Sequence, residues 1–222
     1  NTVPTVSVTA FQTYLTSPFR FFLQTFMHMG DEDFEPKELA KNTFGTCIHA
    51  ALERAAKEPV ADPQRLKERL FEELDVYMRL QYGSPLPVLP AIQNEQMKQR
   101  LAHCAEVLAQ SAKDGFVPIE TEYSLGGKGG SIEFCGLNIK GRIDRIEYSV
   151  AQNRLRLIDY KTGDRGKSPE ETHLTGRKKD TFINLQLPLY RMLILRDPVF
   201  RERHPEIDLN TVLITCGYLN MP

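Results

Sequence analysis

Cysteine is scarce in this chain, and its few residues are not spaced as metal or disulfide sites usually are. The four cysteines, Cys47, Cys104, Cys135 and Cys216, are scattered, and no two of them form a C-x-x-C pair. This spacing argues against a zinc knuckle and against a disulfide scaffold. It favours a reduced setting, and we expect a cytoplasmic protein.

Long apolar runs and an excess of positive charge are also missing. No run approaches the roughly 20 residues of a membrane span, and the start shows no signal-peptide pattern, so we expect no membrane partner. Charged residues make up 26% of the chain, yet the formal net charge is −1. Any surface that binds a polyanion must therefore be local.

The length favours one domain with a single sizeable core, because 222 residues leave no room for two full domains. The chain begins at Asn1 rather than Met and stops just after an apolar, strand-like run, TVLITCGYL. We interpret residues 1–222 as one domain cut from a longer protein.

Hydrophobic periodicity divides this domain into a helical first part and a strand-rich second part. Residues 1–115 are expected to be mainly helical, with Pro18 separating two short helices near the start and three amphipathic helices following. Residues 116–222 are expected to form a sheet core, with strand signals from Val117 to Tyr160, one later helix and a final strand.

Two strands of this core carry charges where a strand normally buries apolar side chains, in the stretch GRIDRIEYSVAQNRLRLIDYKTGDRG. Asp159 and Lys161 share one face of their strand, because side chains alternate. A turn centred on Ala151 and Gln152 would place Asp144 directly opposite Asp159 in an antiparallel pair.

Opposed carboxylates of this kind need a partner. Burying them unpaired would cost several kcal/mol, and a divalent cation removes that penalty. Mg²⁺ prefers oxygen ligands and is commonly held by one or two carboxylates, with waters and substrate phosphate. Lys161 would then reach a phosphate oxygen or an attacking water. A lone D-x-K, by contrast, is typical of a solvated strand end.

The motif G-R-I-D followed by L-I-D-Y-K-T-G closely resembles the PD-(D/E)XK nuclease superfamily, and within it the RecB-like and AddB-type nuclease domains. FGTCIHAALE, with His49, is similar to an upstream helix of that family, and LQLPLY supplies its Q-x-x-x-Y element. The opening VSVTAFQTYLTSPFRFFL is similar to the start of AddB-type domains. The resemblance implies an α/β (α+β) fold: a restriction-endonuclease-like core with a central mixed sheet flanked by helices, and an N-terminal helical elaboration.

The resemblance also implies a set of site residues. The implied ligands of Mg²⁺ or Mn²⁺ are His49, Asp144, Asp159 and the backbone carbonyl of Tyr160. The implied catalytic residues are Asp144, Asp159, Lys161, Gln186 and Tyr190. Gln186 and Tyr190 lie four apart, so they share a helical face, although they could merely pack that helix.

An iron–sulfur cluster is not expected. AddB-type domains commonly carry a cysteine before the proline of the opening motif, where this chain has Ser17. The cluster needs four cysteine thiolates, and the corresponding cysteine groups are missing from this sequence.

A local basic segment offers a surface for DNA, since eleven basic residues outnumber six acidic ones between Lys140 and Lys179. We expect the DNA-binding residues to be Arg142, Arg145, Arg165, Lys167, Arg177, Lys178 and Lys179. Glu120 and Glu122 are expected to share a strand face, as accessory acids or as ordinary exposed glutamates. The remaining histidines, His28, His103, His173 and His204, we interpret as surface residues.

The implied function is that of a metal-dependent DNA nuclease, with exonuclease action, in double-strand-break repair and recombination. The expected partners are DNA and a helicase, in the same chain or in another subunit. Two alternatives remain open: a DNA-binding module whose nuclease site is inactive, and a module that only docks a helicase.

Overall fold

The computed structural model describes residues 5–29, 41–55, 57–163, 168–175 and 180–221. None of the helices in these ranges is both long enough and apolar enough to cross a membrane.

Helices dominate the N-terminal part, as the periodicity predicts. The elements are β1 (Thr5–Ser7), α1 (Ala10–Thr16), α2 (Pro18–Thr25), α3 (Lys41–Ala55), α4 (Pro63–Tyr82) and α5 (Val88–Lys113). Pro18 is the first residue of α2, and the Ser17 hydroxyl caps that helix by accepting the backbone N–H of Arg20. Because proline fits the first turn but not a helix interior, it separates α1 from α2 as predicted.

Strands dominate the C-terminal part. The elements are β2 (Val117–Ser124), β3 (Ile132–Phe134), β4 (Leu137–Lys140), β5 (Arg142–Ser149), β6 (Arg154–Lys161), α6 (Pro169–His173), β7 (Leu174–Thr175), β8 (Thr181–Phe182), α7 (Gln186–Ile194), α8 (Pro198–Arg203) and β9 (Leu213–Asn220). The sequence predicted the main strands and α7. It did not predict β1, α6, α8 or the β7–β8 pair, which are too short to show a periodicity.

The main sheet has the strand order β2-β5-β6-β9. The strand β5 is antiparallel to both of its neighbours, β2 and β6, and β9 runs parallel to β6, so the sheet is mixed. A smaller sheet has the order β1-β4-β3. This is the mixed α/β fold predicted from the resemblance.

The register of β5 and β6 is the one predicted from the turn. Arg145 pairs with Ile158 and Ser149 with Arg154. The next residues along both strands are Asp144 and Asp159, which therefore meet at the end of the ladder.

Helices cover both faces of the main sheet, and each face has its own apolar core. Leu155 and Leu157 pack with Leu193 of α7 and Phe200 of α8. On the other face, Ile158 and Tyr160 pack with the helical layer formed by α3, α4 and α5. This layer buries Ile48, Leu52 and Ala55 of α3, which fixes the rotation of that helix and turns the neighbouring His49 toward the end of the sheet.

Two histidines that we interpreted as surface residues are not exposed. His173 is 5% exposed, and its Nδ1 lies 2.7 Å from the backbone oxygen of Asn184. The His204 side chain is 12% exposed, and its Nε2 lies 3.0 Å from Glu120 Oε1. That prediction was wrong because segments distant in sequence bury His173 and partly cover His204, which a local pattern does not reveal.

Candidate active site

A buried pair of carboxylates lies where β5 and β6 meet. Asp144 is 7% exposed and Asp159 is 4% exposed. Burial, and then the charge of Asp159, raise the pKa of Asp144 to about 7. Burial also raises the pKa of Asp159, although the ammonium of Lys161 opposes this. An ionised pair is therefore unfavourable here unless positive charge is added.

Helix α3 brings His49 to this pair. A Cβ on Gly45, one turn earlier, would lie 3.3 Å from Thr162 Oγ1, so the glycine allows α3 to approach the end of β6 closely. His49 Nδ1 lies 3.2 Å from Glu122 Oε1 and 3.6 Å from Asp144 Oδ1. Burial alone would lower the pKa of His49, but the hydrogen bond to Glu122 and the nearby carboxylate charges outweigh burial and raise it.

Glu122 is a member of this site that the sequence offered only as a possible accessory acid. Glu120 and Glu122 have different contacts: Glu120 contacts His204, whereas Glu122 contacts His49. The backbone of Glu122 has φ 50°, in the left-handed region, so β2 is irregular at this residue. Sequence spacing could not have shown the contact with His49, because the two residues lie in distant segments of the chain.

His49, Glu122 and Asp144 have the geometry of a cation site. Their ligand atoms all lie within 4.8 Å of one another. Neighbouring ligands of an octahedral ion with bonds of about 2.1 Å lie about 3 Å apart, close to the nitrogen–oxygen distances observed here. Imidazole nitrogen and carboxylate oxygens are both common ligands of divalent cations in proteins. These residues can therefore hold a divalent cation.

The other two predicted ligands are held differently. Asp159 makes hydrogen bonds to Lys161 and Gln186 and lies beside the three-residue group. The backbone N–H of Tyr160 donates to Asp144 Oδ2 at 2.6 Å, which orients that carboxylate toward His49.

Lys161, Gln186 and Tyr190 form a hydrogen-bonded network around Asp159. Lys161 Nζ lies 2.7 Å from Asp159 Oδ2 and donates to Gln186 Oε1 at 3.0 Å. The amide of Gln186 donates to Asp159 Oδ1 at 2.6 Å and to the Tyr190 hydroxyl at 3.1 Å. Gln186 is the first residue of α7 and Tyr190 the fifth, so both side chains project from the N-terminal end of this helix.

A neighbouring glycine makes this arrangement possible. The Tyr190 hydroxyl donates to the backbone oxygen of Arg142 at 2.6 Å. A Cβ on Gly141 would lie 2.9 Å from Leu125 and Val8 and 3.2 Å from the Tyr190 ring. The glycine of G-R-I-D therefore lets β5 begin directly against α7.

All the predicted metal and catalytic residues line one cavity of about 490 Å³. They are His49, Asp144, Asp159, Tyr160, Lys161, Gln186 and Tyr190. Arg142 also lines this cavity, and β1 contributes Ser7 to its wall.

The predicted DNA-binding residues have different outcomes. The Arg142 side chain is 64% exposed, and its Nε lies 2.8 Å from Glu122 Oε2. The prediction for Arg145 was wrong, because this residue is 3% exposed and its Nε donates to buried Glu147. Strand alternation places Arg145 on the face opposite to Asp144. Arg165, Lys167, Arg177, Lys178 and Lys179 lie outside the described residues.

Known proteins resemble this chain over most of its length. It is 25% identical over 194 residues to a subunit of the ATP-dependent helicase/deoxyribonuclease of Bacillus subtilis (strain 168), a match that covers 75% of this chain and 16% of that protein. The protein of the same name from Bacillus licheniformis is 27% identical over 187 residues, with the same shares covered. The chain thus spans only about a sixth of the length of these relatives.

The family comparison covers more of the chain. The family described as the PD-(D/E)XK nuclease superfamily matches residues 5–217, which include every site residue named above. The resemblance noted in the sequence is thereby confirmed, and the chain belongs to the PD-(D/E)XK nuclease superfamily.

Proposed function

We propose that this domain is a divalent-metal-dependent DNA nuclease that hydrolyses phosphodiester bonds as an exonuclease in double-strand-break repair. The observation that carries the proposal is the buried carboxylate pair beside Lys161 and His49 in one cavity. Burying such a pair lowers the stability of the fold. A bound cation next to a phosphate ester would explain why the pair is present. Family membership and the relatives' names support the same reaction class.

The metal ligands in this proposal are His49, Glu122, Asp144, Asp159 and the backbone carbonyl of Tyr160. Bound Mg²⁺ or Mn²⁺ would supply an activated water and offset negative charge on the phosphate oxygens. His49 would hold the cation as a neutral imidazole, and the second proton of its charged form would be released to solvent. The Tyr160 N–H holds Asp144 in the orientation that points Oδ1 at His49.

Lys161 acts on the substrate rather than on the metal. Its ammonium group is held between Asp159 and Gln186, and the Lys161 side chain is 39% exposed. From this position it donates a hydrogen bond to a phosphate oxygen whose charge grows in the transition state. Gln186 and Tyr190 keep the group in place, because each is anchored at a second point by its own hydrogen bonds.

The substrate and the partner follow from charge and from the relatives. Arg142 presents an exposed guanidinium group at the cavity, which suits a backbone phosphate next to the scissile one. The relatives' name includes a helicase, so we propose that a helicase, in the same polypeptide or in another chain of a complex, supplies the DNA end.

Cleavage of end-labelled DNA tests this function. The protein is incubated with single-stranded and duplex substrates in Mg²⁺, Mn²⁺, Ca²⁺ or chelator. We expect short products with Mg²⁺ or Mn²⁺, and none with Ca²⁺ or chelator, because Ca²⁺ accepts looser and larger coordination. A circular single strand is the matched control, since an exonuclease leaves it intact. Tight DNA binding without turnover in any metal would instead identify an inactive binding module.

A further inference from the structure

Five residues from four segments form a closed ring of contacts behind the proposed catalytic lysine. Lys161 Nζ donates to Gln186 Oε1 at 3.0 Å, and the backbone N–H of Gln186 donates to Asn184 Oδ1 at 2.8 Å. The backbone oxygen of Asn184 lies 2.7 Å from His173 Nδ1, and His173 Nε2 lies 2.9 Å from the Tyr218 hydroxyl. The aromatic side chain of Tyr218 completes this circle of contacts, because its ring centroid lies 5.0 Å from Lys161 Nζ.

The hydrogen bonds fix the proton positions on His173. A carbonyl oxygen can only accept, so Nδ1 carries the proton and donates to Asn184. In the neutral imidazole Nε2 is then the acceptor, and the Tyr218 hydroxyl donates a hydrogen bond to it. His173 and Asn184 are 5% and 6% exposed, so little water competes with these bonds.

Tyr218 is placed beside the catalytic groups by the sheet. It pairs with Asp159 in the parallel register of β6 and β9, and opposed residues in a sheet share a face. Its ring therefore lies next to the lysine two residues further along β6. A cation is attracted to the face of an aromatic ring at this distance, and the ring also limits the rotamers open to a long side chain.

We propose that Tyr218 is a positioning residue for Lys161, and that His173 fixes the Tyr218 ring in the orientation this requires. Neither residue contacts substrate or a metal ligand atom in this proposal; both act through Lys161. The short helix α6, which ends at His173, then serves to complete the lysine environment. The role in cleavage rests on the proposed nuclease function, whereas the placement of Lys161 does not.

Substitution of Tyr218 tests the effect on catalysis. Tyr218→Leu removes the ring, and Tyr218→Phe keeps it while removing the hydroxyl. We expect Tyr218→Leu to lower kcat at least tenfold, with the KM for DNA and the half-saturating Mn²⁺ concentration within twofold of wild type. Tyr218→Phe should retain at least a third of wild-type kcat. A kcat for Tyr218→Leu within twofold of wild type overturns the proposal.

Tyr148 provides the matched control. It is a half-buried tyrosine that packs against the same core, and its hydroxyl donates to Asn153 at the far end of β5. Tyr148→Leu loses a comparable ring without touching the lysine, and its kcat should stay within twofold of wild type. An equal fall in kcat for both leucine variants would mean that general loss of packing causes the effect.

A double mutant tests the role of His173. His173→Phe and Tyr218→Phe remove the same hydrogen bond, so their effects on kcat should not add. We expect the kcat of the double mutant to lie within twofold of the kcat of the less active single mutant. Fully multiplicative effects would show that the two side chains act independently and would exclude the histidine from the proposal.

A measurement without turnover separates this inference from the nuclease function. Reductive methylation with ¹³C-formaldehyde labels lysines while keeping their charge, and Lys161→Arg assigns the Lys161 signal. We expect this signal to be shifted upfield by the Tyr218 ring in wild type and Tyr148→Leu, and to move to the region of exposed lysines in Tyr218→Leu. An unshifted signal in wild type overturns the positioning role. Should wild type show the shift but cleave no DNA, the nuclease proposal alone fails.

Discussion

Buried charges lie on both faces of the β5–β6 hairpin, but the protein compensates them more completely on one face than on the other. Glu147 is 0% exposed, and its carboxylate lies 2.7 Å from both Arg145 Nε and Ser111 Oγ. Arg156 adds a second guanidinium group, which stacks on the ring of Phe116. On the opposite face, Asp144 and Asp159 are almost as deeply buried, yet burial raises the pKa of both.

Buried charge has a different role on each face of this hairpin, structural around Glu147 and ligand-dependent around Asp144. Around Glu147, the charges are neutralised within the protein, so the network ties α5 to the sheet and stabilises the fold. Around Asp144, neutralisation is incomplete, so the site gains from a ligand that the protein does not provide. Local conflict with stability is expected where residues are kept for function.

The largest effect we expect is on chemistry at the less compensated face. Lys161→Ala should lower cleavage by about 10²–10³-fold or more, because it removes a donor to the transition state. DNA affinity should stay within about threefold, since the proposed function assigns the phosphate contacts to Arg142 and other basic groups. Lys128→Ala, in an exposed turn, is the control in cleavage and binding assays. Activity of Lys161→Ala within a few-fold of wild type would remove Lys161 from the mechanism.

The next effect is on stability at the more completely compensated face. Glu147→Gln keeps the size of the side chain but removes the charge that balances Arg145. Breaking a buried ion pair in this way costs about 3 kcal/mol, so the melting temperature in chelator should fall by at least about 5 °C. Glu106→Gln, at an exposed position of α5, is the control, and thermal unfolding is the measurement. A melting temperature equal to that of wild type would mean that this network does not stabilise the fold.

A smaller effect concerns pH in the absence of metal. The pKa of Asp144 in the folded state, about 7, lies above its ordinary value of 3.8. The folded state therefore binds more protons than the unfolded state between these values, and stability falls as the pH rises through this range. The pKa of His49 is also raised, so the stability that its protonated form contributes is likewise lost as the pH rises.

Melting temperatures measured in chelator from pH 5 to pH 8 check this sign. We expect a decline of a few degrees for wild type and a smaller decline for Asp144→Asn. Saturating Mn²⁺ should remove the decline, because metal competes with the protons. A melting temperature that rises with pH in chelator would contradict the comparison between the two faces.

The sequence predicted the core of this site because the information was local. One turn fixes the register of β5 and β6, so the meeting of Asp144 and Asp159 followed from counting along the chain. Lys161 followed from alternation in a strand, and the shared face of Gln186 and Tyr190 from helical spacing.

The sequence did not predict what depends on contacts between distant segments. Glu122 contacts His49 across a long sequence separation, and no local pattern shows which helix will pack beside a strand. Arg145 was assigned to DNA from its charge alone, although Glu147, two residues later, is the partner that allows it to be buried. The cap of α8 is a partial exception: Asp197 followed by Pro198 is a helix-start signal that could have been recognised.

The smallest expected effect is on the melting temperature of Asp144→Asn. This variant replaces an acid by its amide on the less compensated face, as Glu147→Gln does on the other face, so it compares the two faces directly. Asp144→Asn removes one of two repelling charges, and its amide oxygen can still accept the N–H of Tyr160. In chelator the mutant should therefore melt at or slightly above the wild-type temperature, in contrast to Glu147→Gln. Wild type gains RT ln(1 + [L]/Kd) from Mn²⁺, and the mutant should lose most of that gain together with its nuclease activity. Scanning fluorimetry with chelator and then a Mn²⁺ titration measures both, with Asp114→Asn on the exposed end of α5 as the control. An equal Mn²⁺ shift in mutant and wild type would show that Asp144 is not a metal ligand, and the two faces of the hairpin would then not differ in how their buried charges are compensated.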